Sequence, residues 1–347
     1  MATGLKYTLH GVGLALEAKR EDFLAFAHDY LAPLTVEGAG QPLIRVTLHW
    51  DRALPPADLE PLGRRVWVGE NRLRLTEIRQ VPGLQLEVGW DRDGMRVRAT
   101  YRWPTRRARW LTRLTWAARA RLYVSLIYYL VYFPWGWWME RERGWSLIHA
   151  AALARGEDGI VLSGLPGCGK STFVWAALAL PGWRLLSDNL LFTDGRQVWA
   201  CPEPLHVDER ARELSSSTPV GVRPAGRSFS HQREDFELAP QRRVGRAYPR
   251  GLVFLRRGRR ERVEWLEGEV AFRRLWAGDL LAREWMAYQE CAAALHHLIP
   301  QVGDPLWRWM NLQELTMLPC YEVALGEGGN LAEVARRVLE RVNGGGA

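Results

Sequence analysis

Lysine is almost missing from this chain. Of the 47 basic side chains in 347 residues only three are lysines, Lys6, Lys19 and Lys170, and arginine supplies the rest. Cysteine is scarce as well. Cys168, Cys201, Cys291 and Cys320 stand apart with no CxxC pair, which argues against a disulfide framework or a thiolate zinc site and predicts a reducing, cytoplasmic setting. The opening MATGLKYTLH lacks a charged start leading into an apolar core, so it does not read as a secretory signal. There is no internal repeat, and low complexity is confined to the terminal NGGGA. With 47% hydrophobic and 25% charged residues, largely disordered, collagen-like and coiled-coil chains are excluded.

The length predicts two compact units or one enlarged domain. A net charge of +8 and a pI near 9.6 attract anions. No aromatic-and-glycine RNA signature or metal finger accompanies the arginines, so no specific nucleic-acid partner is expected. Leu122 to Met139 is uncharged for 18 residues, close to the length of a membrane span. Its content is mostly tyrosine and tryptophan rather than leucine, and Pro134 and Gly136 are expected to break a helix near its end. It therefore reads as a buried connector, with a membrane-surface or partner contact as the second choice and no membrane span.

Residues 1–104 read as a β-rich N-terminal domain of strands and tight turns. Leu5 to Ala18 alternates loosely and Leu43 to Trp50 cleanly. Val66 to Leu75 folds about Gly69, Glu70 and Asn71, and Leu84 to Trp90 faces Met95 to Trp103 across Asp91 to Gly94, giving an antiparallel unit. Residues 105–145 read as a helical, aromatic connector. From Ser146 short apolar runs alternate with helical ones, the rhythm of βαβ units and a mostly parallel sheet in a domain spanning 146–347. Residues 206–250 are rich in polar and breaker residues and are expected to be a long loop, either a lid over substrate or a solvated insertion. A strand at Gly251 to Leu255, helices between about Gly278 and Met317, a strand at Cys320 to Leu325 and a helix capped by Asn330 complete the chain.

The chemistry sits in Gly164-Leu165-Pro166-Gly167-Cys168-Gly169-Lys170-Ser171. This is GxxxxGKS between an apolar run ending at Ser163 and a helical run starting at Thr172. Glycines at 164, 167 and 169 let the backbone approach phosphate, and amides at the helix start donate to the anion. Lys170 suits the β- and γ-phosphates, since a compact ammonium fits where a planar guanidinium does not. Ser171 offers a hydroxyl to Mg²⁺, and Thr172 is a lesser candidate for further phosphate contact. Eighteen residues beyond Lys170, Asp188 interrupts an apolar strand. If that strand neighbours the first, its carboxylate stands near the γ-phosphate, available to a metal or to an incoming hydroxyl.

His149-Ala150, the strand, GLPGCGKST, an apolar helix and GWRLLSDNL together resemble the catalytic core of HPr kinase/phosphorylase and its broader relatives, whose P-loop fold is shared with phosphoenolpyruvate carboxykinase. The resemblance runs clearly from about Ser146 to Leu191. It implies an α/β P-loop kinase domain that uses ATP and Mg²⁺ to phosphorylate a hydroxyl, with serine of a small molecule, peptide or protein as acceptor. It assigns the nucleotide and metal loop to Gly164, Gly169, Lys170 and Ser171, acceptor activation to Asp188 and an assisting role beside the phosphate loop to His149. It also implies self-assembly into a homo-oligomer.

Where the family has paired aspartates, this chain has Asp188-Asn189, which weakens phosphorolysis and leaves Glu203 and Asp208 as candidate replacement ligands. HPr itself is not carried over as substrate. Arg223, Arg227, Arg242 and Arg243 are candidates for binding acidic groups of the acceptor, and the His296-His297 pair lacks metal-like spacing. The alternative reading is a nucleotide-responsive binding module with little phosphotransfer. A third is arginine-driven association of Thr105 to Trp138 with membrane or nucleic acid.

Overall fold

The computed structural model describes residues 3–34, 41–54, 58–213, 218–225, 233–326 and 330–344. The chain divides into two units, residues 1–144 with 287–304, and residues 145–286 with 305–347. The first division between the units falls after Gly144. The helices of 105–143 belong to the first unit rather than standing apart, and residues 287–304 join it from within the expected catalytic region.

The first unit holds β1 (Thr3–Leu9), β2 (Val12–Ala18), α1 (Glu21–Tyr30), β3 (Ile44–Trp50), β4 (Glu60–Gly63), β5 (Val66–Val68), β6 (Arg72–Leu75), β7 (Leu84–Asp91) and β8 (Gly94–Tyr101). Both expected hairpins form, β5 with β6 and β7 with β8. The sheet, ordered β1-β2-β3-β8-β7-β6-β5-β4, is nevertheless mixed rather than antiparallel, because β3 runs parallel to β2 and to β8. A parallel pair needs a crossover, and α1 lies in the connection between β2 and β3. This helix was not expected among the strands. Its buried Phe23, Leu24, Phe26, Ala27 and Tyr30 fall at helical spacing behind the acidic first turn Glu21-Asp22.

α2 (Arg106–Leu114) and α3 (Trp116–Ile127) follow, then a π-helical turn at Tyr128–Tyr132 and α4 (Phe133–Arg143). Every residue from Tyr128 to Met139 is buried, as a connector packed in protein requires. Pro134 does not break the helix as expected. It sits in the first turn of α4, where its missing N–H is tolerated, and the Phe133 N–H reaches back to the Tyr128 carbonyl in the wider π pattern. Gly136 is required by close packing, since a Cβ there would lie 2.6 Å from the Tyr288 ring. Among the described residues no helix is long and apolar enough to cross a membrane.

The second unit contains β9 (Ser146–Ile148), β10 (Ala151–Arg155), β11 (Asp158–Ser163), α5 (Lys170–Leu178), β12 (Trp183–Ser187), β13 (Leu191–Thr193), β14 (Val198–Ala200), β15 (Leu205–Asp208), α6 (Glu209–Glu213), β16 (Val222–Pro224), β17 (Arg233–Leu238), β18 (Arg246–Arg257), β19 (Arg262–Leu266), α7 (Gly268–Leu280), α8 (Arg283–Leu295, continuing into the first unit), α9 (Pro305–Thr316), β20 (Cys320–Leu325) and α10 (Leu331–Asn343). The main sheet runs β12-β10-β11-β18-β14-β13-β9, with β20 beside β18 and β19 beside β20. It is mixed α/β. Only β11 with β18 and β18 with β20 pair in parallel between named strands, so the expected mostly parallel sheet is corrected. Short turns, such as the one through Gly156 between β10 and β11, permit only antiparallel pairing.

Both faces of this sheet are covered. Leu153, Ile160, Leu162, Val253 and Leu255 pack in one core with residues of α5 and α10. Ala152, Val161, Leu252 and Phe254 alternate onto the other face, against Leu275 of α7 and Leu312 of α9.

The expected loop 206–250 is corrected too. β15, β17 and β16 form a three-stranded antiparallel sheet inside it, while residues 214–217 and 226–232, Arg227 among them, lie outside the described residues. The strands were hidden because their apolar positions are few: Leu205, Val207, Phe236 and Leu238 turn inward, and Phe236 meets Trp175 of α5 with ring centroids 4.7 Å apart.

Candidate functional site

β11 ends at Ser163 and α5 begins at Lys170, and the six residues between turn back sharply. Gly164, Gly167 and Gly169 all have positive φ, at 142°, 79° and 109°. A Cβ on Gly164 would lie 2.5 Å from the Leu255 carbonyl and 2.7 Å from the Cys168 sulfur, so glycine is required on both counts. The crown of the loop, Leu165, Pro166 and Gly167, is exposed, whereas Cys168 is buried and its thiol is pushed up by burial. Ser171 and Thr172 are half-buried on the first turn of α5.

Lys170 is buried, and its ammonium donates to the Gly164 carbonyl across the loop at 3.0 Å. Burial lowers its pKa, with Cys168, Asp188, Asp279 and Glu284 opposing. The carboxylates oppose the loss of its charge in a dry place, which is what phosphate binding needs.

β12 is not the neighbour of β11: β10 lies between them. The condition attached to Asp188 therefore fails as stated, yet Asp188 still reaches the loop. The chain bends at Asp188 and Asn189 just past β12, and the Ser171 hydroxyl donates a hydrogen bond to the Asp188 carboxylate. The His206 backbone N–H donates to it as well. Burial raises the Asp188 pKa above the ordinary carboxylate range, against the lowering effects of His206, Ser171 and Lys170. Its Oδ1 has no hydrogen-bond partner among the described residues. A buried carboxylate oxygen beside a serine hydroxyl fits a hard divalent cation that takes its other ligands from phosphate and water. Ser171 and Asp188 would hold Mg²⁺. Among the described residues no cluster of three or more His, Cys, Asp or Glu offers a ready-made metal cage.

His149 sits between β9 and β10, buried, with its backbone N–H on Asp279 Oδ1 at 3.0 Å and its side chain hydrogen-bonded with Asn189. Burial, then the nearby Lys170 charge, lowers its pKa to about 3, so it is a neutral imidazole. Asn189, standing where the resemblance expects a second carboxylate, is thus a partner of His149.

His206 is the residue that reading the sequence missed. It faces Asp235 across the β15–β17 ladder, with Nδ1 2.6 Å from Oδ1. Burial lowers its pKa, but the hydrogen bond and charge of Asp235, with Glu203 and Asp188, outweigh this and raise it. Glu203 is buried close enough to act on both His206 and Cys201. Asp208 is committed elsewhere, accepting the Ala211 N–H at the start of α6.

The loop arginines are occupied likewise. Arg223 pairs with Glu237 at 3.0 Å, Arg242 donates to the Leu178 carbonyl and Arg243 to the Glu203 carbonyl at 3.1 Å. His296 is 3.2 Å from the Val302 carbonyl, a local contact. The arrangement can bind a polyanion on the loop, hold a cation between Ser171 and Asp188, and accept a proton at Asp188. No protein-family model matches this chain, and no curated protein matches it.

Proposed function

We propose that this chain is an ATP- and Mg²⁺-dependent kinase that transfers a γ-phosphoryl group to a hydroxyl, with serine of a small molecule, peptide or protein as acceptor. The observation that carries this reading is the Ser171–Asp188 hydrogen bond beside Lys170, on a glycine loop between a buried strand and a helix. Lys170 and the amides at the start of α5 hold the phosphates. Ser171 and Asp188 would be the protein's side of the metal site, and a bound Mg²⁺ would supply neutralisation of charge on the phosphate oxygens.

Asp188, with its raised pKa, takes the proton of the acceptor hydroxyl. The acceptor oxygen then forms its bond to γ-phosphorus as the bond to the ADP oxygen breaks, and ADP leaves with that electron pair. His206, hydrogen-bonded to Asp188 through its backbone N–H and held on its side chain by Asp235, keeps the carboxylate in place.

Transfer of γ-labelled phosphate with Mg²⁺ to free serine, serine peptides and cell extract tests this, with Lys170→Met as control. Label in a Lys170-dependent acceptor is expected. Full turnover by Lys170→Met would overturn it.

Asn189 on His149, where a second carboxylate is expected, favours one other reading, a nucleotide-responsive binding module. Asp188→Asn separates the two. A kinase loses transfer at least about a hundredfold when its base is removed, while a module keeps its nucleotide-dependent partner binding.

A further inference from the structure

From Gly94 to Met139 the chain has nine arginines and no acidic residue. α2 lies at the centre of this stretch, capped by the Thr105 hydroxyl on the Ala108 N–H at 3.0 Å, and it buries none of its residues. A break at Thr115, which is extended, separates it from α3. Helical spacing puts the half-buried Ala108 and Thr112 on the side turned to the protein. The opposite face carries Trp110, 61% exposed, and Leu114, 59% exposed, with Trp116 beyond them at 48%. Arg106, Arg107 and Arg113 surround that apolar pair, and among the described residues no carboxylate pairs with them or with Arg109.

A helix whose packed side is small and polar, and whose free side joins indole, leucine and unpaired guanidinium, has the composition of one lying in a membrane interface. Indole rings sit at headgroup depth, leucine enters the acyl boundary, and arginine stems reach along apolar surface to place their charges on lipid phosphates. We infer that α2 docks this protein onto the surface of an anionic phospholipid bilayer. Charge complementarity names the headgroup, and the exposed Trp110–Leu114 pair names lipid over nucleic acid, whose phosphate backbone offers leucine no apolar contact.

The test is flotation of the full chain with vesicles of phosphatidylcholine alone and of phosphatidylcholine with phosphatidylglycerol, at low and high salt. Two variants accompany the wild type, Trp110→Ser with Leu114→Ser, and Arg106→Gln with Arg107→Gln and Arg113→Gln. Because α2 buries nothing, both are expected to keep the wild-type melting temperature. The wild type should float with anionic vesicles only. The serine variant should lose at least about tenfold in partitioning from its lost apolar contact. The glutamine variant should lose roughly a hundredfold, three near-surface cations having gone.

Equal flotation by all three proteins, or binding of the wild type to neutral vesicles just as well, would overturn the proposal. So would tighter binding to DNA than to anionic vesicles, or sedimentation showing a dimer that the serine variant dissolves. None of these measurements involves ATP, so the result stands apart from the kinase reading.

Discussion

His206 Nδ1 lies 2.6 Å from Asp235 Oδ1, directly across the β15–β17 ladder, and the backbone N–H of the same histidine donates to Asp188. Strand pairing thus fixes one end of the carboxylate that the proposed transfer uses. With the Asp235 hydrogen bond and charge removed, burial is left to dominate and His206 should lose its raised pKa. Asp235→Asn is therefore expected to move the His206 titration, followed by NMR, from above the ordinary histidine value to below it. Under the proposed function phosphotransfer should fall with it mainly in kcat, because the glycine loop and not β15 would contact ATP. An unmoved titration would show that Asp235 does not hold the charge.

His149 gives a pH dependence whose sign can be worked out. Its folded pKa of about 3 lies below the ordinary value near 6.5, so the unfolded chain binds the proton first as pH falls. Stability contributed by the neutral buried ring is complete above about 6.5 and drains away toward 3. Asp279 works against it over a narrower range: its carboxyl is pushed up to about 6 by burial despite Arg308, so its own contribution falls as pH rises from about 4 to 6. The histidine has the larger shift. Urea denaturation should show the wild type losing on the order of 3 kcal/mol more than His149→Gln between pH 7 and pH 4. Parallel curves for the two proteins would mean that His149 is charged in the fold.

The glycine loop makes a backbone prediction. Gly156 and Gly164 both have positive φ, at 66° and 142°. A Cβ at Gly156 meets nothing within 4 Å, whereas at Gly164 it meets the Leu255 carbonyl at 2.5 Å. Gly156→Ala should cost about 1 kcal/mol, the ordinary penalty of the left-handed region. Gly164→Ala lies outside that region and clashes with backbone, so it should cost about 2–4 kcal/mol and lose ATP binding. Thermal denaturation with ATP calorimetry checks both, and equal costs would mean the loop relaxes around the new methyl.

The glycine loop, Lys170, Ser171, Asp188 and His149, which the structure brings together, could all be picked out from sequence, because the chemistry proposed for each demands a particular residue type at a fixed place. One of only three lysines, placed in this loop among so many arginines, is a strong signal. His206 carried no such mark. Its role arises from the register of β15 on β17, two short strands with only four inward apolar residues between them. α1 was overlooked for the same reason in reverse, a brief apolar stripe inside a run of alternating strands. The route of β12 was beyond reach as well. Which strand β10 pairs with is decided by packing on both sheet faces, and no local pattern records it.

Arg308 and Asp279 form a buried ion pair that supports the site from behind. Asp279 takes the His149 N–H on one oxygen and Arg308 on the other, and Arg308 also donates to the Leu147 carbonyl at 2.9 Å and lies 3.8 Å from the centre of the Trp285 ring. A buried pair contributes little net stability over an apolar substitute, but breaking one half strands the other. Arg308→Met leaves Asp279 with a backbone N–H and only the weaker influence of the Lys170 charge, so its pKa must climb above about 6. The variant should therefore cost about 3–5 kcal/mol at pH 8, where Asp279 must ionise or pay to stay protonated, and clearly less at pH 5, where both proteins hold it neutral. Urea denaturation at the two values decides it. A cost independent of pH would show that Arg308 serves through its packing on Trp285 rather than through its charge.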